Sequence, residues 1–228
     1  MLTIELRRRV VAEALGTGLL VAVVIGSGIM AARLAPGTPA LALLANAVAT
    51  GAGLYAILVA LAPISGAHLN PAVSLAMAWR RELPRREVGA YVAAQLVGGA
   101  LGAVVANAMF ALPWIAVATQ ARTGSALMLS EGVATFGLLA VIWATARRRP
   151  GALPGAVAMY ITAAYWFTAS TSFANPAVTV ARTLSDSFAG IRPADVPGFI
   201  AAQLVGATLA TALMAYLVPA SPAEGSRS

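Results

Sequence analysis

The chain has 228 residues, 60% of them hydrophobic and 10% charged. Ordinary soluble domains carry roughly 25% charged residues, so this chain cannot clothe a soluble globule of its size. Its net charge of +7 comes from 15 basic residues, all arginine and gathered in short loops between apolar runs, a pattern unlike a nucleic-acid-binding surface. With no cysteine there is no disulfide, thiolate metal site or thiol nucleophile.

Measured against a bilayer span of roughly 20 residues, six apolar segments are long enough to cross a membrane. They lie near residues 10–32, 40–62, 87–110, 126–146, 152–168 and 196–218. The first follows Arg7, Arg8 and Arg9, but its apolar core is too long for a signal peptide and contains Glu13. Between the second and third segments, SGAHLNPAVSLAM opens a short apolar stretch at 70–79. After the fifth, TSFANPAVTVART opens another at 176–187. Both share a tripeptide, Asn70-Pro71-Ala72 and Asn175-Pro176-Ala177. Asn is a preferred N-cap and Pro suits the first helical position, so each copy predicts a helix start. A helix beginning where a span has just ended, and too short to span, predicts a half-helix entering the membrane interior. Residues 219–228 read as a flexible tail.

The arginines set the orientation. If the first half-helix returns to the side it came from, Arg7, Arg8, Arg9, Arg80, Arg81, Arg85, Arg86, Arg147, Arg148, Arg149 and Arg227 fall together, eleven of fifteen. Both termini are therefore expected in the cytoplasm. An Ala-, Gly- and Arg-rich chain without Lys suggests a GC-rich bacterial genome, hence an inner membrane.

The halves, about 1–122 and 123–218, repeat each other. Glu13-x-x-x-Thr17 matches Glu131-x-x-x-Thr135, and YVAAQLVGGALGA (91–103) matches FIAAQLVGATLAT (199–211). Three spans per half is an odd number, so the second half enters from the opposite face as an inverted repeat. Each half-helix carries roughly +0.5 charge at its N-terminus, and two such ends meeting at midplane oppose cations and protons. Asn70 and Asn175 can offer amide donors to a passing oxygen while also capping their helices. Gly16, Gly18, Gly51, Gly53, Gly98, Gly99, Gly102 and Gly206 suit close helix packing. Trp114, Trp143 and Trp166 suit interfacial anchors.

These motifs cover nearly the whole chain, which resembles the major intrinsic protein family, the aquaporins and aquaglyceroporins. The resemblance implies an all-α membrane protein, a single right-handed bundle of six transmembrane helices plus two re-entrant half-helices, assembled as a homotetramer in the lipid bilayer with one pore per subunit. It implies that Glu13 and Glu131 hold the irregular NPA loops rather than transfer protons. It places His68 near the cytoplasmic side of the pore, where loop support is favoured over pH gating. Gln95 and Gln203 are read as interhelical hydrogen-bonders.

The family usually places an Arg three residues after the second NPA Asn. Here that residue is Val178, and Arg182 lies a helical turn further on. Family spacing adds Thr50, twenty residues before Asn70, Ala163, twelve before Asn175, and a Ser172 carbonyl. The expected filter of Thr50, Ala163, Ser172 and Val178 is small and uncharged. Val at this position resembles a bacterial branch associated with arsenic-resistance operons. That implies passive conduction of small neutral solutes: arsenous acid, methylated arsenicals, glycerol, urea and water. A water-selective aquaporin and an ion-coupled secondary transporter are the alternatives; saturable, gradient-driven uptake would mark the latter. No nucleophile–base constellation, metal cluster or cofactor site is legible, so no enzyme and no cofactor are expected.

Overall fold

The computed structural model describes residues 3–218, which form helices and loops with no strand. The expected tail at 219–228, with Arg227, lies outside the described residues. Eight α-helices follow one another: α1 (Ile4–Leu34), α2 (Pro39–Ser65), α3 (Pro71–Trp79), α4 (Val88–Met109), α5 (Ser125–Arg148), α6 (Leu153–Phe167), α7 (Pro176–Ala181) and α8 (Val196–Leu217). Thr3 caps α1 by accepting the Leu6 N–H at 3.2 Å, and Gly66, at φ 86°, closes α2 in the left-handed region where a Cβ is unfavourable.

Five helices (α1, α2, α4, α5 and α8) are long and apolar enough to cross a membrane. The expected span at 152–168 is shorter than predicted. It is α6, with 15 residues, led in by a 3₁₀ turn at Pro150–Ala152. At 1.5 Å per residue α6 is about 22 Å long, against about 30 Å of hydrocarbon. At Thr168 the backbone becomes extended, and the polar run Thr168-Ala169-Ser170-Thr171-Ser172 continues as irregular chain. The second half-helix also stops early: α7 ends at Ala181, and a 3₁₀ turn, Arg182–Leu184, replaces the rest of the stretch expected to run to 187.

The packing repeats between halves. α1 lies against α2 and α4, α5 lies against α6 and α8, and α2 meets α6. The tightest crossings rest on glycine. A Cβ on Gly98 would sit 2.0 Å from the Ala14 carbonyl oxygen, and one on Gly206 would sit 2.2 Å from that of Gly132. Ala14 and Gly132 each follow a membrane-buried glutamate, so the same backbone contact recurs at equivalent places. Glycine here lets the helices approach until backbones touch. Outward-facing residues such as Leu41, Val48 and Val59 of α2 and Val97, Leu101 and Val105 of α4 are exposed and apolar, as a lipid-facing surface requires. Trp114 and Trp166 are exposed, but Trp143 is 2% exposed and stacks under the Arg80 guanidinium, 4.7 Å from the ring centroid. Trp143 is therefore a core residue and not the interfacial anchor expected.

The segment joining the halves, residues 110–124, is stitched over one end of the second half. Ala116 and Ala118 donate to the Leu184 and Thr183 carbonyls, and Gln120 accepts the Arg192 N–H.

Candidate functional site

The site is built by two irregular loops that enter the bundle and turn into α3 and α7. Both loops force residues with side chains into the left-handed region, at matching offsets from the NPA Asn. Ala67 and Leu69 precede Asn70 with φ 45° and 51°; Ser172 and Ala174 precede Asn175 with φ 51° and 47°. Such a backbone holds only where its surroundings over-determine it.

The surroundings are the two glutamates. Glu13 Oε1 accepts the His68 N–H (2.9 Å) and the Ser65 hydroxyl (2.7 Å), while Oε2 accepts the Leu69 N–H (2.7 Å) and a Gln95 amide proton (2.7 Å). Glu131 repeats this, accepting from Phe173 N–H (2.9 Å), Ala174 N–H (2.9 Å) and Gln203 Nε2 (2.6 Å). Gln95 passes on to Ser74 Oγ and Gln203 to Thr179 Oγ1, both at 2.9 Å, which ties α4 to α3 and α8 to α7. Both carboxylates are fully buried, and every carboxylate oxygen has a donor within the fold. Neither forms a salt bridge among the described residues. His68 is held in the same manner: its Nδ1 lies 3.1 Å from Ser74 Oγ and its ring rests 5.2 Å from that of Tyr91.

Asn70 and Asn175 meet across the centre. Each side-chain oxygen caps its own helix, accepting the Ala72 N–H and the Ala177 N–H at 2.9 Å. Each amide nitrogen donates to the other loop, Asn70 to the Ala174 carbonyl and Asn175 to the Leu69 carbonyl, both at 2.7 Å. One amide proton of each Asn is thus committed to joining the halves. The second has no partner among the described residues and can serve a solute.

A cavity lined by residues of both halves passes this centre. α2 and α6 line it antiparallel, so Ala62, Met77, Leu153 and Pro154 mark one end and Thr50, Tyr165, Phe173 and Arg182 the other, with Asn70 and Asn175 between. His68, Ser172 and Val178 also line it; most of the remaining lining is Leu, Val, Ile and Ala. Of the expected filter, Thr50, Ser172 and Val178 are brought to this cavity. Ala163 is not. It is exposed on the far side of α6, and Tyr165, two residues and about 200° further round the helix, faces inward instead. The Tyr165 hydroxyl lies 3.2 Å from Thr50 Oγ1.

Nor is the cavity uncharged. Arg182 is 2% exposed and lines it, with its guanidinium 3.3 Å from the Phe173 ring centroid and its Nε donating to the Ala189 carbonyl. Arg182 follows Val178 by four residues, the spacing that shares a helix face, and both side chains line the cavity. A second arginine, Arg122, flanks the same ring at 5.0 Å and donates to the carbonyls of Gly190, Ser170 and Phe188. Burial lowers the Arg122 pKa from its ordinary value, opposed by nearby Glu131 and Tyr165.

Nearly the whole chain matches the Major intrinsic protein family, over residues 1–169 and 152–227. The chain belongs to that family. Among its relatives, aquaglyceroporin AqpS of Rhizobium meliloti is 57% identical over 219 residues, covering 96% of this chain and 94% of that protein. Probable aquaporin AqpM of Archaeoglobus fulgidus is 31% identical over 95% of this chain and 99% of its own. The crystal structure of the aquaglyceroporin from Plasmodium falciparum shares the fold, with TM-score 0.72 and 18% identity over 94% of this chain and 98% of that one. As a member of the major intrinsic proteins, this chain is a multi-pass membrane channel and not an enzyme.

Proposed function

We propose that the chain is a passive channel for small uncharged solutes, conducting water, glycerol, urea, arsenous acid and methylated arsenicals, and excluding cations and protons at the paired NPA motifs. The observation that carries this reading is Val178, a buried apolar residue lining the cavity where family members usually place an arginine. An apolar wall offers little to a charged solute, while Thr50 and Tyr165 hydroxyls and the free Asn70 and Asn175 amide protons supply sparse hydrogen bonds along the path. The name of the Rhizobium meliloti relative, an aquaglyceroporin, supports solutes beyond water. The fully donated carboxylates of Glu13 and Glu131 favour a passive pore over coupled transport, because a proton carrier needs a free site to load.

In the bacterial inner membrane, 1–228 acts as one channel domain with both termini cytoplasmic, and four copies form a tetramer. Stopped-flow permeability of proteoliposomes to water, glycerol and arsenous acid tests the reading. Solute flux that is linear in concentration and indifferent to sodium or proton gradients is expected. Water flux without solute flux would overturn the solute range, and saturable gradient-driven uptake would overturn the channel.

A further inference from the structure

The two arginines beside Phe173 differ in what their nitrogens do. Arg122 commits all three guanidinium nitrogens to backbone carbonyls, so it is a clasp for the loops around it. Arg182 commits only Nε, to Ala189. Its two terminal nitrogens have no hydrogen-bond acceptor among the described residues, although the side chain is 98% buried and lines the cavity. A guanidinium so placed keeps its charge only if its remaining donors meet water or solute in that cavity. Arg182 has no salt-bridge partner among the described residues, and Glu131 is already engaged by Phe173, Ala174 and Gln203.

On the channel reading above, we infer that Arg182 is the specificity-determining cation of the outer pore, supplying from one helical turn further along the charge and paired donors that Val178 lacks. Stacking on Phe173 and the bond to Ala189 fix the guanidinium plane, leaving two terminal nitrogens as a fork toward the lumen. A planar fork matches two neighbouring acceptor oxygens better than one. The solutes it favours are those with vicinal hydroxyls, and the charge repels cations before they reach the Asn pair.

The test compares propane-1,2-diol, whose hydroxyls are vicinal, with its isomer propane-1,3-diol, whose hydroxyls are not, in proteoliposomes corrected for bilayer leak, together with sodium conductance. Wild type should pass the 1,2-diol faster than the 1,3-diol and exclude sodium. Arg182→Met should lower the 1,2- to 1,3-diol ratio by about tenfold, the equivalent of one hydrogen bond to a charged group, and admit sodium. Arg182→Lys keeps the charge without the fork, so its ratio should fall while sodium stays excluded. A wild-type ratio in either inserted variant overturns the assignment. If neither variant inserts, the wild-type preference decides alone: equal or greater 1,3-diol permeability refutes the fork. Loss of both water and glycerol flux in wild type would instead refute the channel.

Discussion

Removing the Glu131 carboxylate is the sharpest test of how the second NPA loop is held. In Glu131→Ala the Phe173 and Ala174 N–H groups lose their acceptor in a site with no exposure, while Gln203 keeps its bond to Thr179 Oγ1. Two orphaned buried donors cost about 1–3 kcal/mol each, so about 2–6 kcal/mol is at stake. The loop also stores strain in Thr171, Ser172 and Ala174, all at positive φ, which it can release once unpinned. Glu13 accepts four donors against three for Glu131, so Glu13→Ala should destabilise more. Amide hydrogen exchange in detergent-solubilised protein reads this directly. Phe173 and Ala174 should lose protection in Glu131→Ala, and the temperature of aggregation should fall further in Glu13→Ala. If those two amides stay as protected as in wild type, the carboxylate is not their anchor. If Glu131→Ala remains fully stable yet loses gradient-driven uptake, the acid is a proton carrier and the passive reading fails.

Replacing Asn70 or Asn175 with Asp should raise cation conductance in planar bilayers by placing a carboxylate at the centre, and unchanged conductance in inserted protein would count against electrostatic exclusion there. It should also cost about 1–3 kcal/mol, because Asp cannot donate to Ala174 or Leu69 across the pore as Asn does. Val178→Arg should lower the solute-to-water flux ratio, most of all for methylated arsenicals, whose methyl groups cannot bond a guanidinium; an unchanged ratio would remove Val178 from the constriction. Gly98→Ala should lower the yield of folded protein, since its methyl would lie 2.0 Å from a backbone oxygen that no rotamer change can move, and wild-type thermal stability in that variant would contradict the crossing.

Much of this site was readable from residue order. The Asn-Pro pairs start helices through chemistry confined to a few neighbouring residues, and the duplicated Glu and Gln segments fall at matching places in the two halves, where the fold pairs Glu13 with Gln95 and Glu131 with Gln203. What failed depended on helix phase and helix ends. Placing Ala163 by a fixed offset assumes α6 keeps its phase up to the loop, and two residues of error turn a lining position into a lipid-facing one. Arg182 lies four residues after Val178 on the same helical face, so its approach to the cavity was open to helical spacing, whereas the Phe173 ring and Ala189 carbonyl that fix its guanidinium come from loops no local pattern places. Trp143 is buried because Arg80, distant in sequence, covers its ring.

The exchanged bonds between Asn70 and Ala174, and between Asn175 and Leu69, have a bearing on how such a chain could arise. Each half holds the donor for the other's loop and lacks the acceptor for its own. A half-length chain would therefore leave its Asn amide donor unpaired until a second copy, inserted in the opposite sense, docked against it, and in the joined chain each half is answerable to substitutions in the other. Split in the 110–124 segment, the fragments should restore conduction when made together, and neither should conduct by itself.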